Sequence, residues 1–212
     1  MLDKSIEYKN IIMRIDADKP VENPKLPYNY KFRHFENSTD INHWSRIETS
    51  VLEFSSEPEA KEYFNRSYYP YLDDLNKRCT FILNRHDLPI ATATAWYADS
   101  KLGYQSSLQW VAVCPEYQGL GLGKAIVQKA LTIFRELEPK NSVWLHTQTW
   151  SHVAVRLYKK LGFNIVKREN LANNNTRDGI NKTCKTDFES AIEVLRNVIR
   201  EDELDILIGS AV

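Results

Sequence analysis

Val113-Cys114-Pro115-Glu116-Tyr117-Gln118-Gly119-Leu120-Gly121-Leu122-Gly123-Lys124 sets three glycines on alternate residues between a β-branched run and a long amphipathic one. Downstream, Leu122, Ala125, Ile126, Ala130, Ile133, Phe134 and Leu137 recur at steps of three and four, one stripe of a helix that should end near Pro139. Glycine between a strand and such a helix permits positive φ and close backbone approach. The helix start presents unpaired N–H groups, so a diphosphate is the natural guest. Two familiar phosphate loops do not fit. The fingerprint G-x-G-x-x-G fails at Lys124, and G-x-x-x-x-G-K-[ST] fails at Gln118 and Ala125. A glycine turn made only for tight packing stays open as the alternative.

Upstream of this stretch, Thr80-Phe81-Ile82-Leu83, a turn at Asn84 to Pro89, and Ile90 to Trp96 read as a hairpin, and a second turn at Asp99 to Gly103 leads to a third strand, Ser106 to Val113. Three antiparallel strands in a row follow. Downstream come a strand at Val143 to Thr147, a helix N-capped by Ser151 with Ala154, Leu157, Tyr158 and Leu161 on one face, a stop at Gly162, and a closing strand at Phe163 to Val166. Further out, Tyr8 to Ile15 reads as a strand of an N-terminal arm that continues through Pro20, Pro24 and Pro27, and Tyr30 to Phe35 alternates as a half-buried strand. Helices are expected from Ser38-Thr39-Asp40 to about Thr49 and from Ser56-Glu57-Pro58, running up to the aromatic cluster Tyr63, Phe64, Tyr68, Tyr69 and Tyr71. Asn170 to Lys182 reads as a polar loop. Phe188, Ala191, Ile192, Leu195, Val198 and Ile199 read as one last amphipathic helix ending at Glu201-Asp202-Glu203. The fold class expected is α/β (α+β): a mixed, mainly antiparallel sheet with flanking helices.

Composition narrows the function. The 212 residues carry 28 Lys plus Arg against 28 Asp plus Glu, which argues against nucleic acid or an anionic membrane recognised by bulk charge. At 42% hydrophobic and 26% charged the chain is an ordinary globular one, with no apolar run near the ~20 residues of a membrane span. The first residues alternate charges where a secretory signal needs an apolar stretch, so a cytoplasmic protein is expected. Cys79, Cys114 and Cys184 are far apart and the five histidines are scattered, so neither a disulfide framework nor a metal site is expected.

Gln118-x-x-Gly121-x-Gly123 resembles the Q/R-x-x-G-x-G/A motif of the GCN5-related N-acetyltransferases. Leu145-x-Thr147-x-x-x-Ser151-x-x-Ala154-x-x-Leu157-Tyr158-x-x-Leu161-Gly162-Phe163 is similar to that family's L-x-V-x-x-x-N-x-x-A-x-x-L-Y-x-x-L-G-F pattern, in register, with Thr147 in place of valine and Ser151 in place of asparagine. The resemblance covers about Tyr30 to Lys167. It implies an acyl-CoA-binding fold in an acetyltransferase domain at 29–168, with an N-terminal arm at 1–28 and a C-terminal loop and helix at 169–212.

The resemblance further implies acetyl-CoA as acyl donor, a small-molecule or peptide amine as acceptor, and direct transfer in a ternary complex. It assigns Gln118, Gly119, Leu120, Gly121, Leu122, Gly123 and Lys124 to the CoA diphosphate, and Val111, Ala112 and Val113 to the pantetheine arm. Ser151 takes the position of a cofactor contact. A backbone N–H near Val111 or Ala112 would face the thioester oxygen, and Tyr158 would protonate the departing thiolate. Some relatives carry a glutamate where this chain has Ser107, so Ser107 is the candidate holder of a relay water for the amine's proton. Glu53, Asp99, His146 and His152 are alternatives, and Glu116 reads as structural. Tyr158 also fits a core position on its helix stripe. Cys114 reads as packing, and so do the aromatics from Tyr63 to Tyr71, with an acceptor pocket as their other reading. Lys159, Lys160, Lys167 and Arg168 would meet the CoA 3′-phosphate or form solvated surface. The second function class is a non-catalytic acyl-CoA-binding module on the same fold. The C-terminal helix is expected to cover a sheet face or to exchange with a second subunit in a homodimer.

Overall fold

The computed structural model describes residues 2–100, 103–168, 170–173 and 182–212. Nine strands and seven α-helices alternate among them: β1 (Asn10–Ile15), β2 (Lys31–His34), α1 (Thr39–Ser50), α2 (Glu57–Ser67), α3 (Leu72–Arg78), β3 (Cys79–Leu83), β4 (Pro89–Ser100), β5 (Gly103–Val113), α4 (Leu122–Leu137), β6 (Val143–Gln148), α5 (His152–Lys160), β7 (Asn164–Ile165), β8 (Asn170–Asn173), β9 (Lys182–Lys185), α6 (Phe188–Leu195) and α7 (Glu201–Gly209). Seven strands hydrogen-bond in the order β2-β3-β4-β5-β6-β1-β7. The ladders β2–β3, β3–β4, β1–β6 and β1–β7 are antiparallel, and β5–β6 is parallel at Ser106 opposite Val143 and Ser107 opposite Trp144. This is the mixed, mainly antiparallel sheet with flanking helices that the hydrophobic pattern predicts.

The chain divides into two compact units. The first comprises 21–96 and 108–139. Its core is built on β3 and on β4 as far as Trp96, buried at every residue, and on the α4 stripe, of which Leu122, Ala125, Ile126, Ala130, Ile133 and Phe134 are buried. Asp40 is buried and paired with Arg33, while Ser38 stands at the N-cap of α1 without a side-chain cap bond. Ser56 does cap α2, its hydroxyl accepting from the Glu59 N–H at 3.4 Å. The short helix α3 was not foreseen.

The second unit comprises 2–20, 97–107 and 140–212. The strand read as part of an arm is interior here. β1 lies between β6 and β7, with Ile11, Ile12, Met13 and Ile15 buried, because four apolar residues in six leave it no solvent face. The single C-terminal helix is corrected to two. The acidic triplet opens α7 rather than ending its predecessor, as the helix dipole favours. Helix α6 packs against β1, where Asp187 accepts from the Asn10 backbone N–H at 3.0 Å. Val212 donates to the Ile165 carbonyl and accepts from the Lys167 N–H, so the chain end runs along β7. The loop expected at Asn170 to Lys182 is in part an antiparallel pair, β8 with β9. Residues 174–181 of that loop, and 101–102 of the turn expected at Asp99 to Gly103, lie outside the described residues. Among the described residues no helix is long and apolar enough to cross a membrane.

Candidate functional site

In the first unit the glycine stretch forms an open, left-handed connection into a helix. Gly119 and Gly121 both sit at φ +79°, and a Cβ added at either would meet nothing within 4 Å. Glycine is therefore demanded by backbone conformation and not by crowding, and among the described residues the space beside these two Cα atoms is open. Gly121 is the N-cap of α4 and has no side chain to cap with, so the first-turn N–H groups of Leu122, Gly123 and Lys124 are left outward-facing, as an anion site requires. Gln118, Gly119, Leu120, Gly121 and Lys124 are exposed, and Leu122 is buried beneath them. The Gln118 side chain folds back, its Nε2 donating to the Val113 carbonyl at 2.9 Å, which ties the loop to the end of β5. Lys124 is engaged by Glu22 at 3.0 Å, and Gln128 Nε2 donates to the same carboxylate at 3.1 Å. The Lys124 hydrogen bond holds the Glu22 carboxyl below its ordinary pKa.

Val111 and Val113 are half-buried and Ala112 is buried. They follow a break in β5 that sequence did not predict: Trp110 has φ +52°, an outlier for a bulky residue. In a regular strand neighbouring residues face opposite sides. Here Gln109 accepts from the Tyr68 hydroxyl while Trp110 packs on Trp44 at 5.3 Å and Tyr63 at 5.0 Å, so both face one cluster. The positive φ re-aims the chain, as bulges beside functional sites do. Cys114 at the end of β5 is buried, burial raises its thiol pKa, and Arg46 lies 3.8 Å from its sulfur, so it is a packing position.

Of the aromatics read from Tyr63 to Tyr71, Phe64 and Tyr68 are buried, Tyr63 is half-buried and Tyr69 is exposed. They join Trp44 of α1, Phe54, Trp96 of β4 and Trp110 of β5, none of which is near them in sequence. One turn along α1 from Trp44, on the same buried face, stands Glu48, which sequence reading missed. It is 1% exposed, and among the described residues its Oε1 has no hydrogen-bond partner. Burial, reinforced by the Glu53 charge, pushes its carboxyl well above the ordinary value. Its spacing of four from Trp44 was the available signal, since it places a carboxylate on the apolar face of α1.

In the second unit Ser107 is buried (3% exposed) in the parallel ladder with Trp144. Ser151 stands at the N-cap of α5 without a side-chain cap bond, correcting the expected cap: a 3-10 turn over Thr149–Ser151 precedes the helix. Tyr158 is 6% exposed, with its ring edge-on to Phe163 at 5.8 Å. The second unit thus holds Ser107, Ser151 and Tyr158, and the first holds Val111 to Val113 and Gln118 to Lys124. Among the alternative bases, Glu53 is exposed and donates its backbone N–H to the Glu48 carbonyl. His146 bonds Asn10 at 2.9 Å and burial lowers its pKa, so it is neutral, while His152 lies 3.9 Å from Asp3. The Asp99 side chain lies outside the described residues. Lys159 donates to Asn164 at 2.8 Å and to Ser210, and Lys160 faces Glu203, so these two serve the fold of their own unit.

The acetyltransferase (GNAT) family model matches residues 42–163, more than half of the chain, and the chain belongs to that family. A mycothiol acetyltransferase of Thermobispora bispora is 29% identical over 160 residues, 71% of this chain and 52% of that one. An N-alpha-acetyltransferase of Sulfurisphaera tokodaii is 37% identical over 57 residues, 27% of this chain and 34% of that one. The chain therefore spans about half the length of the first relative and a third of the second. Among solved structures, a GCN5-related N-acetyltransferase from Sphaerobacter thermophilus aligns over 76% of this chain and 49% of its own at TM-score 0.61 and 17% identity, a likeness of fold. An acetyltransferase from Colwellia psychrerythraea aligns over 77% of this chain and 55% of its own at TM-score 0.55 and 9% identity.

Proposed function

We propose that the chain moves an acetyl group from acetyl-CoA to a primary amine of a small molecule or peptide, by direct transfer in a ternary complex and in a cytoplasmic setting. The observation that carries this reading is the loop Gln118–Lys124: two left-handed glycines opening on free space and an uncapped helix start, directly after a kinked strand end. In this reading the loop N–H groups of Gly119 to Lys124 hold the diphosphate, and Val111, Ala112 and Val113 flank the pantetheine. A backbone N–H of Val111 or Ala112 meets the thioester oxygen as charge gathers on it. Tyr158 gives a proton to the sulfur, and Ser107 and Ser151 are retained as water-holding and cofactor-contacting positions from the motif register. Holding both reactants aligned supplies up to about 7–11 kcal/mol of the barrier, so no covalent enzyme intermediate is needed. The family match at 42–163 lies inside the 29–168 segment proposed as the transferase domain.

Acetyl-CoA should raise the melting temperature, and free thiol should appear with some amine of a library of amino acids, polyamines, aminoglycosides and peptide N-termini. Tyr158→Phe should cut kcat about 100-fold while leaving the acetyl-CoA shift in place. No thermal shift with any acyl-CoA overturns the reading. A shift without turnover from any amine favours the non-catalytic module instead.

A further inference from the structure

Glu48 is an expensive residue to keep where it is. Among the described residues, no cation pairs with this 1% exposed carboxyl and no donor meets its Oε1, and a cation and donors are what make buried acids tolerable. The charge acting on it is that of Glu53, of its own sign. Its other titratable neighbours are Tyr68, from the turn after α2, and Cys79, at the start of β3, both acids themselves. Rings flank this stretch of α1. Trp44 lies one helical turn away on α1 and contacts Trp110 at 5.3 Å, Tyr63 at 6.4 Å and Tyr68 at 6.5 Å. Among the described residues the indole N–H of Trp44 is likewise buried without a hydrogen-bond partner, while that of Trp110 lies beside the Tyr68 hydroxyl. Phe54, Tyr63 and Trp110 are half-buried, so the cluster reaches the surface there. Trp110 is also the kinked residue directly before Val111–Val113, the strand proposed above to hold the acyl arm.

Aromatic faces and a lone carboxylate share one complementary guest, a cation on an apolar body. We propose that Glu48 with Trp44, Tyr63, Tyr68 and Trp110 forms the acceptor site, taking a primary ammonium carried on an apolar group, and that Glu48 receives the ammonium proton. This rests on the acetyl-transfer reading and names its acceptor class and base. Entry of the cation supplies the missing opposite charge. The buried carboxyl then releases its own proton to solvent and becomes the carboxylate. One ammonium proton passes to Glu48, and the freed lone pair forms the C–N bond to the acetyl carbon as the C–S bond breaks. A second nitrogen-bound proton leaves as the amide forms, and the departing thiolate takes up one proton, so the net products are amide, thiol and one proton. Glu53, exposed beside the cluster, adds a negative potential that draws the cation in.

The test uses the full chain, 2-phenylethylamine as probe, glucosamine and glycine as hydrophilic amines, and 2-phenylethanol as the uncharged analogue. Thiol release should give kcat/KM for 2-phenylethylamine at least tenfold above the hydrophilic amines. Glu48→Gln should lower it about 100-fold, remove the rising limb of its pH profile, and leave the acetyl-CoA thermal shift unchanged. If Glu48→Gln does not fold, tryptophan fluorescence on the unmodified protein still decides: the amine should bind at least tenfold tighter than 2-phenylethanol. Equal affinities, a Glu48→Gln change within twofold, or a preference for glucosamine overturns the proposal. Each of these leaves the acetyl-transfer reading standing if acetyl-CoA binds, whereas absence of the acetyl-CoA shift strikes that reading first.

Discussion

The loop at Gln118–Lys124 and the cluster around Glu48 belong to the same compact unit and are built by opposite means. The loop is exposed, contiguous, and made of backbone: glycines at φ +79° and a helix start without a cap. The cluster is largely buried and assembled from α1, α2, the turn after it, β4 and β5, with side chains supplying all its chemistry. A backbone anion site tolerates little change in its own dozen residues but asks little of the rest of the chain. A side-chain site can be rebuilt residue by residue on an unchanged fold, which suits the half of a transferase that must choose its acceptor.

The largest effect that would sharpen this contrast is on stability. Glu48 is held protonated by burial, so its folded-state pKa lies above the ordinary carboxylate value. The folded protein then binds a proton that the unfolded chain has lost. Its stability is undiminished at low pH and falls as pH rises above the ordinary carboxylate value toward the raised one. Glu48→Gln removes that dependence. It should make the free protein more stable by about 1–3 kcal/mol at pH 8, with the gain vanishing near pH 4. Urea unfolding at the two pH values measures it. A variant less stable at pH 8 would show that the carboxylate, not the acid, is the form the cluster holds, and would make Glu48 a structural anchor.

What could be read in advance follows the same divide. The helix stripe from Leu122 to Leu137 and the β-branched and apolar runs of β3 to β5 between their turns are local patterns, and the elements formed where expected. The loop was legible because its signal, Gly119 and Gly121 before an amphipathic run, is written in adjacent residues. Glu48 was not, because a carboxylate at that spacing on a helix reads as a solvated face until Trp110, 62 positions later, closes over the same helix. The kink at Trp110 has no residue-type signal at all, since tryptophan is among the least expected residues at positive φ. The C-terminus was misread for a smaller reason. Leu195 and Ile199 keep helical spacing across a real break, and only the acids at 201–203 mark where a new helix begins.

A smaller effect tests the loop. Gly121→Ala forces an alanine into the left-handed region at a cost of about 1–2 kcal/mol, and its methyl projects into the free space proposed for the diphosphate. Acetyl-CoA affinity should fall about tenfold by calorimetry, with a melting temperature lower by a few degrees. Gly209→Ala is the control, since it too meets nothing within 4 Å but carries no positive φ, and it should be neutral or slightly stabilising. Unchanged affinity in Gly121→Ala would detach the loop from the cofactor and return it to the reading of a packing turn.

The smallest expected effect concerns Glu22, the anion paired with Lys124. Glu22 holds Lys124 at 3.0 Å from a proline-flanked segment, and both side chains are more than half exposed. Such a pair contributes little to stability, so its replacement should leave the melting temperature where it is. It does, however, occupy the cation nearest the uncapped helix start with a charge of the same sign as a diphosphate. Glu22→Gln should therefore tighten acetyl-CoA binding about twofold at low ionic strength, and the gain should shrink as salt screens the exposed charges. Weaker binding would reverse the reading. It would mean that Glu22, through Lys124 and Gln128, holds the first turns of α4 in position, and that the backbone site depends on side chains after all.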